Sequence, residues 1–301
     1  MIKVSVIITT YGIPVFLHKA IESVFQQTLA NIEIIIVDDN DPDTEARLLT
    51  EQIVHQRIQV SSNISYLKHE KNKNGAAARN TGIAVAKGKY ISFLDSDDQY
   101  APQRIEKCYN IMEQCNEKTA GVYTGCEFKR NGKTYHIHEK VKDGNFMLET
   151  LAGTFMFSTG SNLFVRRNVV EELRGFDESF LRHQDYEFLV RLFENYLLKA
   201  IPEALVVKNN ENYNLLDVEK MIQIKAQYLA KFDVFIKKMN FEKQNYIFES
   251  HYISIAEQAL KRNNKIIAKE YYTKAKRYRK QSLKVKVRKY ALQLLNLKKL
   301  C

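Results

Sequence analysis

Two short runs constrain this chain more than anything else in its 301 residues. Residues 3–10, KVSVIITT, and residues 32–39, IEIIIVDD, are apolar almost without a break. A strand with one wet face alternates apolar and polar side chains. One that is apolar throughout needs cover on both faces, as in a parallel sheet sandwiched by helices. The segments between carry the helical period: residues 16–27 place Phe16, Leu17, Ala20, Ile21, Val24 and Phe25 on one face. Residues 43–56, 74–86 and 102–116 read as further helices, and 64–69 and 90–94 as further strands. The alternation predicts an α/β fold, a right-handed, doubly wound αβα sandwich with a Rossmann-like half.

Ligands bind such a sheet at the carboxyl ends of its strands. Three loops fall there, at residues 9–12, 38–43 and 95–98, one polar and two acidic. The strand in KYISFLDSDDQY delivers Asp95, Ser96, Asp97 and Asp98. Three carboxylates within four residues repel one another unless a cation or hydrogen-bond donors sit among them, and an all-oxygen set suits Mg²⁺ or Mn²⁺. The competing reading is a solvated acidic turn capping the helix after Pro102. Asp38 and Asp39 close a strongly apolar strand and are expected at the pocket wall, where a carboxylate can accept from a base N–H or from ribose hydroxyls. As a plain structural feature they would be an N-cap pair.

Taken in order, VSVIITTYG, VDDNDPDT, NGAAARNTGI, GKYISFLDSDD and RHQDYEF resemble the successive motifs of glycosyltransferase family 2, over about residues 3–215. The resemblance implies the GT-A fold and a metal-dependent, inverting transferase that uses nucleotide-activated sugars. It places the nucleotide base near Thr9, Tyr11 and Asp39, with Asp38 beside them. Asp95 would serve the ribose and the outer shell of the metal, Asp97 would be the direct ligand, and Asp98 a supporting acid. Arg79 resembles the arginine that holds the nucleotide, and Asp185 the catalytic base. The alternatives are a surface arginine and a helix N-cap. Single displacement with inversion needs one base for the acceptor hydroxyl and a cation for the departing diphosphate, and both residue types are present.

The chain departs from the family pattern at Thr9, Gly12 and Gln184, where Pro, Asn and Glu are frequent. Around residues 206–213, VVKNNENY, relatives often carry an Arg and a His. This chain offers Lys208, Asn209 and Asn210, so Lys208 is the candidate diphosphate contact, with an unrelated surface lysine as the alternative.

Residues 121–138 read as two strands joined at Asn131-Gly132, a strong hairpin signal. Tyr123, Phe155 and Phe157 are candidates for stacking on sugar rings, or else core. His136 and His138 alternate on the second strand without partner ligands nearby. Cys108 and Cys115 lie seven apart on a helix and read as core thiols, and none of the four cysteines has zinc-like spacing.

From residue 216 the chain has no Gly or Pro and turns helical and basic. Two domains are expected, a catalytic one over 1–215 and a basic helical region over 216–301. Within the second, 253–279 reads as two helices joined at Asn263-Asn264, where Ala268 and Ala275 allow close approach. The net charge of +11 is concentrated: residues 254–301 sum to +13 and the rest to −2. Residues 283–300 place Leu283, Val287, Tyr290, Ala291, Leu294 and Leu297 on one face, with lysines and arginine off it. Such a basic amphipathic helix suits an anionic membrane surface; packing on the catalytic domain is the alternative. Nucleic acid is not expected, since no recognition motif accompanies the charge. No apolar run reaches the ~20 residues a membrane span needs, and no secretion signal is read, so a cytoplasmic protein peripheral to the inner membrane face is expected.

The combined expectation is a hexosyltransferase that takes a uridine-linked sugar to a glycan or lipid-linked glycan acceptor in bacterial surface polysaccharide synthesis. Two readings from other classes compete. A haloacid-dehalogenase-type phosphatase would carry its D-x-D after the first strand, not the fourth. A catalytically inactive partner in an assembly complex would not need Asp95, Asp97 and Asp185 together.

Overall fold

The computed structural model describes residues 1–59, 61–158, 160–209 and 217–278. The front half alternates as expected: β1 (Val4–Thr10), α1 (Leu17–Phe25), β2 (Ile32–Asp38), α2 (Glu45–Ile58), β3 (Ile64–Lys68), α3 (Gly75–Val85) and β4 (Tyr90–Asp95). Then come β5 (Asp98–Tyr100), α4 (Arg104–Gln114), β6 (Thr119–Arg130), β7 (Lys133–His138), α5 (Met147–Leu151), β8 (Phe164–Arg166), α6 (Arg167–Glu172), α7 (Gln184–Asn195) and β9 (Leu197–Asn209). Helices α8 (Val218–Lys231), α9 (Asp233–Lys238), α10 (Phe241–Lys261) and α11 (Lys265–Tyr278) complete the described chain.

The strands form one mixed sheet in the order β3-β2-β1-β4-β8-β6-β9-β5, with β7 beside β6. The four Rossmann-like strands β3, β2, β1 and β4 are parallel. Beyond them β8 runs antiparallel to both β4 and β6, so the parallel expectation holds for the front half only. The chain steps outward from β1 to β3 and then returns to the other side of β1 as β4. That reversal is a topological switch point, and it opens a crevice at the carboxyl ends of β1 and β4.

The runs that predicted the sheet are its core: Val4, Val6, Ile8, Ile34, Ile36, Tyr90 and Leu94 are buried together. Helix α3 rides unusually close on this layer because Gly82 has no side chain; a Cβ there would lie 2.5 Å from Ile7 Cγ2. The β6–β7 hairpin turns on Asn131 and Gly132, both at positive φ (50° and 70°), as a type I′ turn requires. Tyr123, Phe155 and Phe157 are each buried. They are core rather than sugar platforms, because their burial leaves no ring face open to a sugar.

Two compact units result. The first runs from residue 1 to 147 and resumes at 156 through β9. The second combines Leu148–Phe155 with the helices from α8 onward. The segment at 148–155 joins the helices for a local reason. Tyr228 donates to the Thr150 carbonyl (2.9 Å), and a ring nitrogen of His251 lies 2.8 Å from the Leu151 carbonyl. These are carbonyls at a helix end, which need outside partners. In the second unit α10 and α11 form the expected hairpin, with Ala256, Ala259, Ala268 and Ala275 buried and Asn263 at positive φ in the turn. The basic face read at 283–300 lies outside the described residues. No helix among the described residues is long and apolar enough to cross a membrane.

Candidate active site

A cavity of about 710 Å³ opens at the switch point. Thr9, Tyr11, Asp39, Arg79, Asp95, Asp97, Asp185 and Lys208 all line it. The register explains part of the convergence, since Thr9 pairs with Asp95 across β1 and β4, and the Ser96 amide donates to the Thr9 carbonyl (3.1 Å). The floor of the acidic turn is thus stapled to the loop after β1.

Asp38 does not reach the cavity. It is fully buried and points into the protein. Its carboxylate pairs with Arg47 (3.0 Å), accepts from Tyr66 (2.6 Å) and takes both the backbone and side-chain nitrogens of Asn40 (3.0 and 2.8 Å). The alternation of a strand decides this, because neighbouring side chains face opposite ways. Nor do the two aspartates cap the next helix; Thr44 does, accepting from the Arg47 amide (3.2 Å).

Asp39 does reach the wall, with its oxygens committed to the protein. They accept from the Lys73 amide (2.8 Å), the Asn74 amide (3.0 Å) and the Asn72 side chain (2.9 Å), and His69 Nδ1 lies 2.6 Å away. This one carboxylate fixes the loop between β3 and α3. It holds Asn74, at φ 137°, as the N-cap of α3, accepting from the Ala76 and Ala77 amides. Helix α3 in turn carries Arg79. That guanidinium donates to Asp95 (2.7 Å) and to the Gln184 side chain (2.9 Å). Arg79 is therefore a bridge between the acidic turn and the start of α7, not a surface residue.

The acidic stretch is a two-residue turn between β4 and β5 rather than a helix cap. Asp95 and Asp97 face the cavity, while Asp98, on β5, is fully buried. Ser161 donates to Asp98 (2.6 Å) and accepts from the Asp95 amide (2.9 Å). Behind it Arg104, wholly buried, donates to Ser92 (3.0 Å) and to the Ser161 carbonyl (3.3 Å), with its guanidinium over the Tyr100 ring. Strand pairing sets Lys208 of β9 opposite Asp98, with Nζ 3.9 Å from its carboxylate.

Electrostatics divides the three acids. Burial alone would raise Asp95, yet Arg79 and Lys208 hold it below the ordinary carboxylate value. Burial pushes Asp98 up to about 7, against the pull of Lys208 and with the help of Asp97 and Asp95. Ligand atoms of Asp95, Asp97 and Asp98 lie within 4.8 Å of one another, an all-oxygen donor set of the kind hard cations take. An ammonium, Lys208, already stands beside them. Gly160 keeps the approach open: a Cβ there would sit 3.1 Å from Arg79 Nη2 and 3.7 Å from Asp95 Oδ2. Side-chain chemistry and space both fit a divalent cation at the turn.

Asp185 is the second residue of α7, whose N-cap is His183 in the left-handed region (φ 60°). Its carboxylate accepts from the Tyr186 amide (2.9 Å) and is half-buried at the cavity. Burial raises it above the ordinary value, with Arg79 opposing. Gln184 beside it donates to the Phe180 carbonyl (2.7 Å) and anchors Arg79.

Sequence reasoning missed Ser161, Gln184, His69 and Arg104 as parts of this site. Ser161 lies 66 positions from Asp95, and Gln184 lies 105 from Arg79. No local pattern carries such pairings.

The sequence profile described as Glycosyl transferase family 2 matches residues 5–174. The uncharacterized glycosyltransferase MJ1057 of Methanocaldococcus jannaschii is 31% identical over 219 residues, 70% of this chain and 72% of that protein. The amylovoran biosynthesis glycosyltransferase AmsB of Erwinia amylovora is 29% identical over 195 residues, 63% of this chain and 64% of that protein. Among solved structures, S. aureus TarS 1–349 in complex with UDP-GlcNAc superposes with a TM-score of 0.59 at 16% identity. The match covers 90% of this chain and 89% of that one.

Proposed function

The chain belongs to glycosyl transferase family 2, with the GT-A fold, and from that premise we propose that it moves a hexose from a uridine-diphosphate sugar to a glycan hydroxyl with inversion. One observation carries the reading: the switch-point cavity joins the acidic turn to one carboxylate outside it, Asp185 at the start of α7. Of the acids lining it, Asp39 is engaged by four donors, Asp95 is held by Arg79, and Asp97 sits in the turn with it. Asp185 is left to take a proton from an acceptor. A lone base suits direct displacement, in which no enzyme nucleophile is needed.

The residues then have distinct tasks. Thr9, Tyr11 and the Asp39 wall hold the base and ribose, and Tyr11 offers an exposed ring for stacking. Asp95 and Asp97, supported by Asp98, would hold Mn²⁺ or Mg²⁺, which supplies charge to stabilise the departing diphosphate. Lys208 contributes a second positive charge on the same side. Asp185 orients and deprotonates the acceptor hydroxyl. The likeness to an amylovoran biosynthesis glycosyltransferase supports a polysaccharide as acceptor, and the basic charge of residues 283–300 in the sequence supports delivery of a lipid-linked acceptor at an anionic membrane.

The test is a screen of uridine, guanosine and thymidine sugars, with the anomeric configuration of the product read by NMR. Turnover of a uridine sugar with inversion is expected. A retained configuration would defeat the single-base reading, and absence of any nucleotide binding would defeat the site assignment.

A further inference from the structure

Lys208 is placed by the sheet and not by chance of rotamer. The antiparallel pairing of β5 with β9 sets it opposite Asp98, and its other neighbour strand, β6, sets Phe128 beside it. Its ammonium lies 3.9 Å from the buried Asp98 carboxylate and still lines the cavity. All three carboxylates of the turn feel its charge. Of the two arginines that also line the cavity, Arg182 is exposed and Arg79 is spent on Asp95 and Gln184.

An ammonium so placed does two things. It offsets part of the repulsion among Asp95, Asp97 and Asp98, which makes the turn stable by itself. It also repels any divalent cation that approaches the same oxygens. A lysine stem is flexible and its head is a point charge that readily follows phosphate. A nucleoside diphosphate arriving beside the turn would draw Lys208 toward its own oxygens and leave the carboxylates to the incoming metal.

We propose that Lys208 is the resident counter-ion of the acidic turn, which keeps the free site weak for divalent cations and makes cation and nucleoside diphosphate binding mutually dependent. The inference rests on the metal reading of that turn. Linkage requires the effect to be reciprocal: UDP tightens the cation as much as the cation tightens UDP.

The experiment is equilibrium Mn²⁺ binding, read as loss of the free-ion EPR signal. It uses the full chain and its Lys208→Met, Lys208→Gln and Lys208→Arg variants, each with and without UDP, with folding checked by circular dichroism. Mn²⁺ alone should bind the Met and Gln variants about tenfold tighter than the parent, and the extra tightening by UDP should shrink by about the same factor. The Arg variant should stay near the parent. Two neutral variants guard against one failing to fold. Folded Met or Gln variants that bind Mn²⁺ no tighter than the parent would overturn the counter-ion role while leaving the metal site standing. No Mn²⁺ on any of the proteins, with or without UDP, would overturn the metal reading and this inference together.

Discussion

At the scale of single residues the proposed site divides its work among carboxylates, and each share is measurable. Asp97→Asn should leave the fold intact and cost several kcal/mol of transition-state stabilisation, about 10²–10³-fold in kcat. EDTA should act likewise on the parent, and full turnover in EDTA would remove the metal from the mechanism. Asp185→Asn should leave UDP affinity nearly unchanged while kcat falls ~10²–10⁴-fold; calorimetry beside kinetics separates the two. The raised Asp185 fixes the sign of the pH dependence. A base at Asp185 would work deprotonated, so kcat/KM should fall on acidification through a pKa above the usual carboxylate value and level off at higher pH. An acid limb at or below about 4 would place Asp185 in water instead. Asp95 and Asp97 were legible as site candidates because their motif closes a strand, whereas Arg79, Asp185 and Lys208 were candidates through the family resemblance. Asp38 was not separable from Asp39 by type, since both are acids at one strand end. Only the alternation of the strand, which turns Asp38 inward toward Arg47 and Tyr66, tells them apart.

At the scale of elements, the long apolar strands and the periodic helices could be read, and the short pieces could not. Strand β5 spans three residues, too few to show a period, and its identity depends on β9, more than a hundred positions later. The segment at 148–155 likewise joins the helical unit through two carbonyls, which no side-chain pattern records. The Asn131-Gly132 turn was legible because positive φ at two successive residues demands those types. The seating of α3 gives a test at this scale. Gly82→Ala would push a methyl to 2.5 Å from the fully buried Ile7. Overpacking of this kind costs ~1–3 kcal/mol, so the melting temperature should drop by several degrees. An unchanged melting temperature would mean that α3 can lift from the sheet without penalty.

For the whole molecule, charge is the property that sequence reveals most directly and structure least. The body is near neutral and residues 254–301 carry +13. Near an anionic membrane each Lys or Arg contributes roughly 1 kcal/mol, screened beyond ~8 Å at physiological salt. A chain ending after Arg279 should fold, act on a soluble acceptor analogue and lose co-sedimentation with anionic vesicles. Salt should weaken the vesicle binding of the full chain without abolishing it, because leucines entering the bilayer would add a term that salt does not screen. Unchanged vesicle binding by the shortened chain would place the contact elsewhere.

The fourfold engagement of Asp39 bears on which length changes this protein can tolerate over its history. The loops after β2 and β3 meet on one carboxylate, through residues 69, 72, 73 and 74. An inserted residue in either loop would displace several of those donors at once, so the two loops must drift in step or not at all. The hairpin tip is under no such obligation: nothing lies within 4 Å of where a Gly132 side chain would begin. Insertions and deletions should therefore accumulate at the tip while the cavity wall around Asp39 keeps its length.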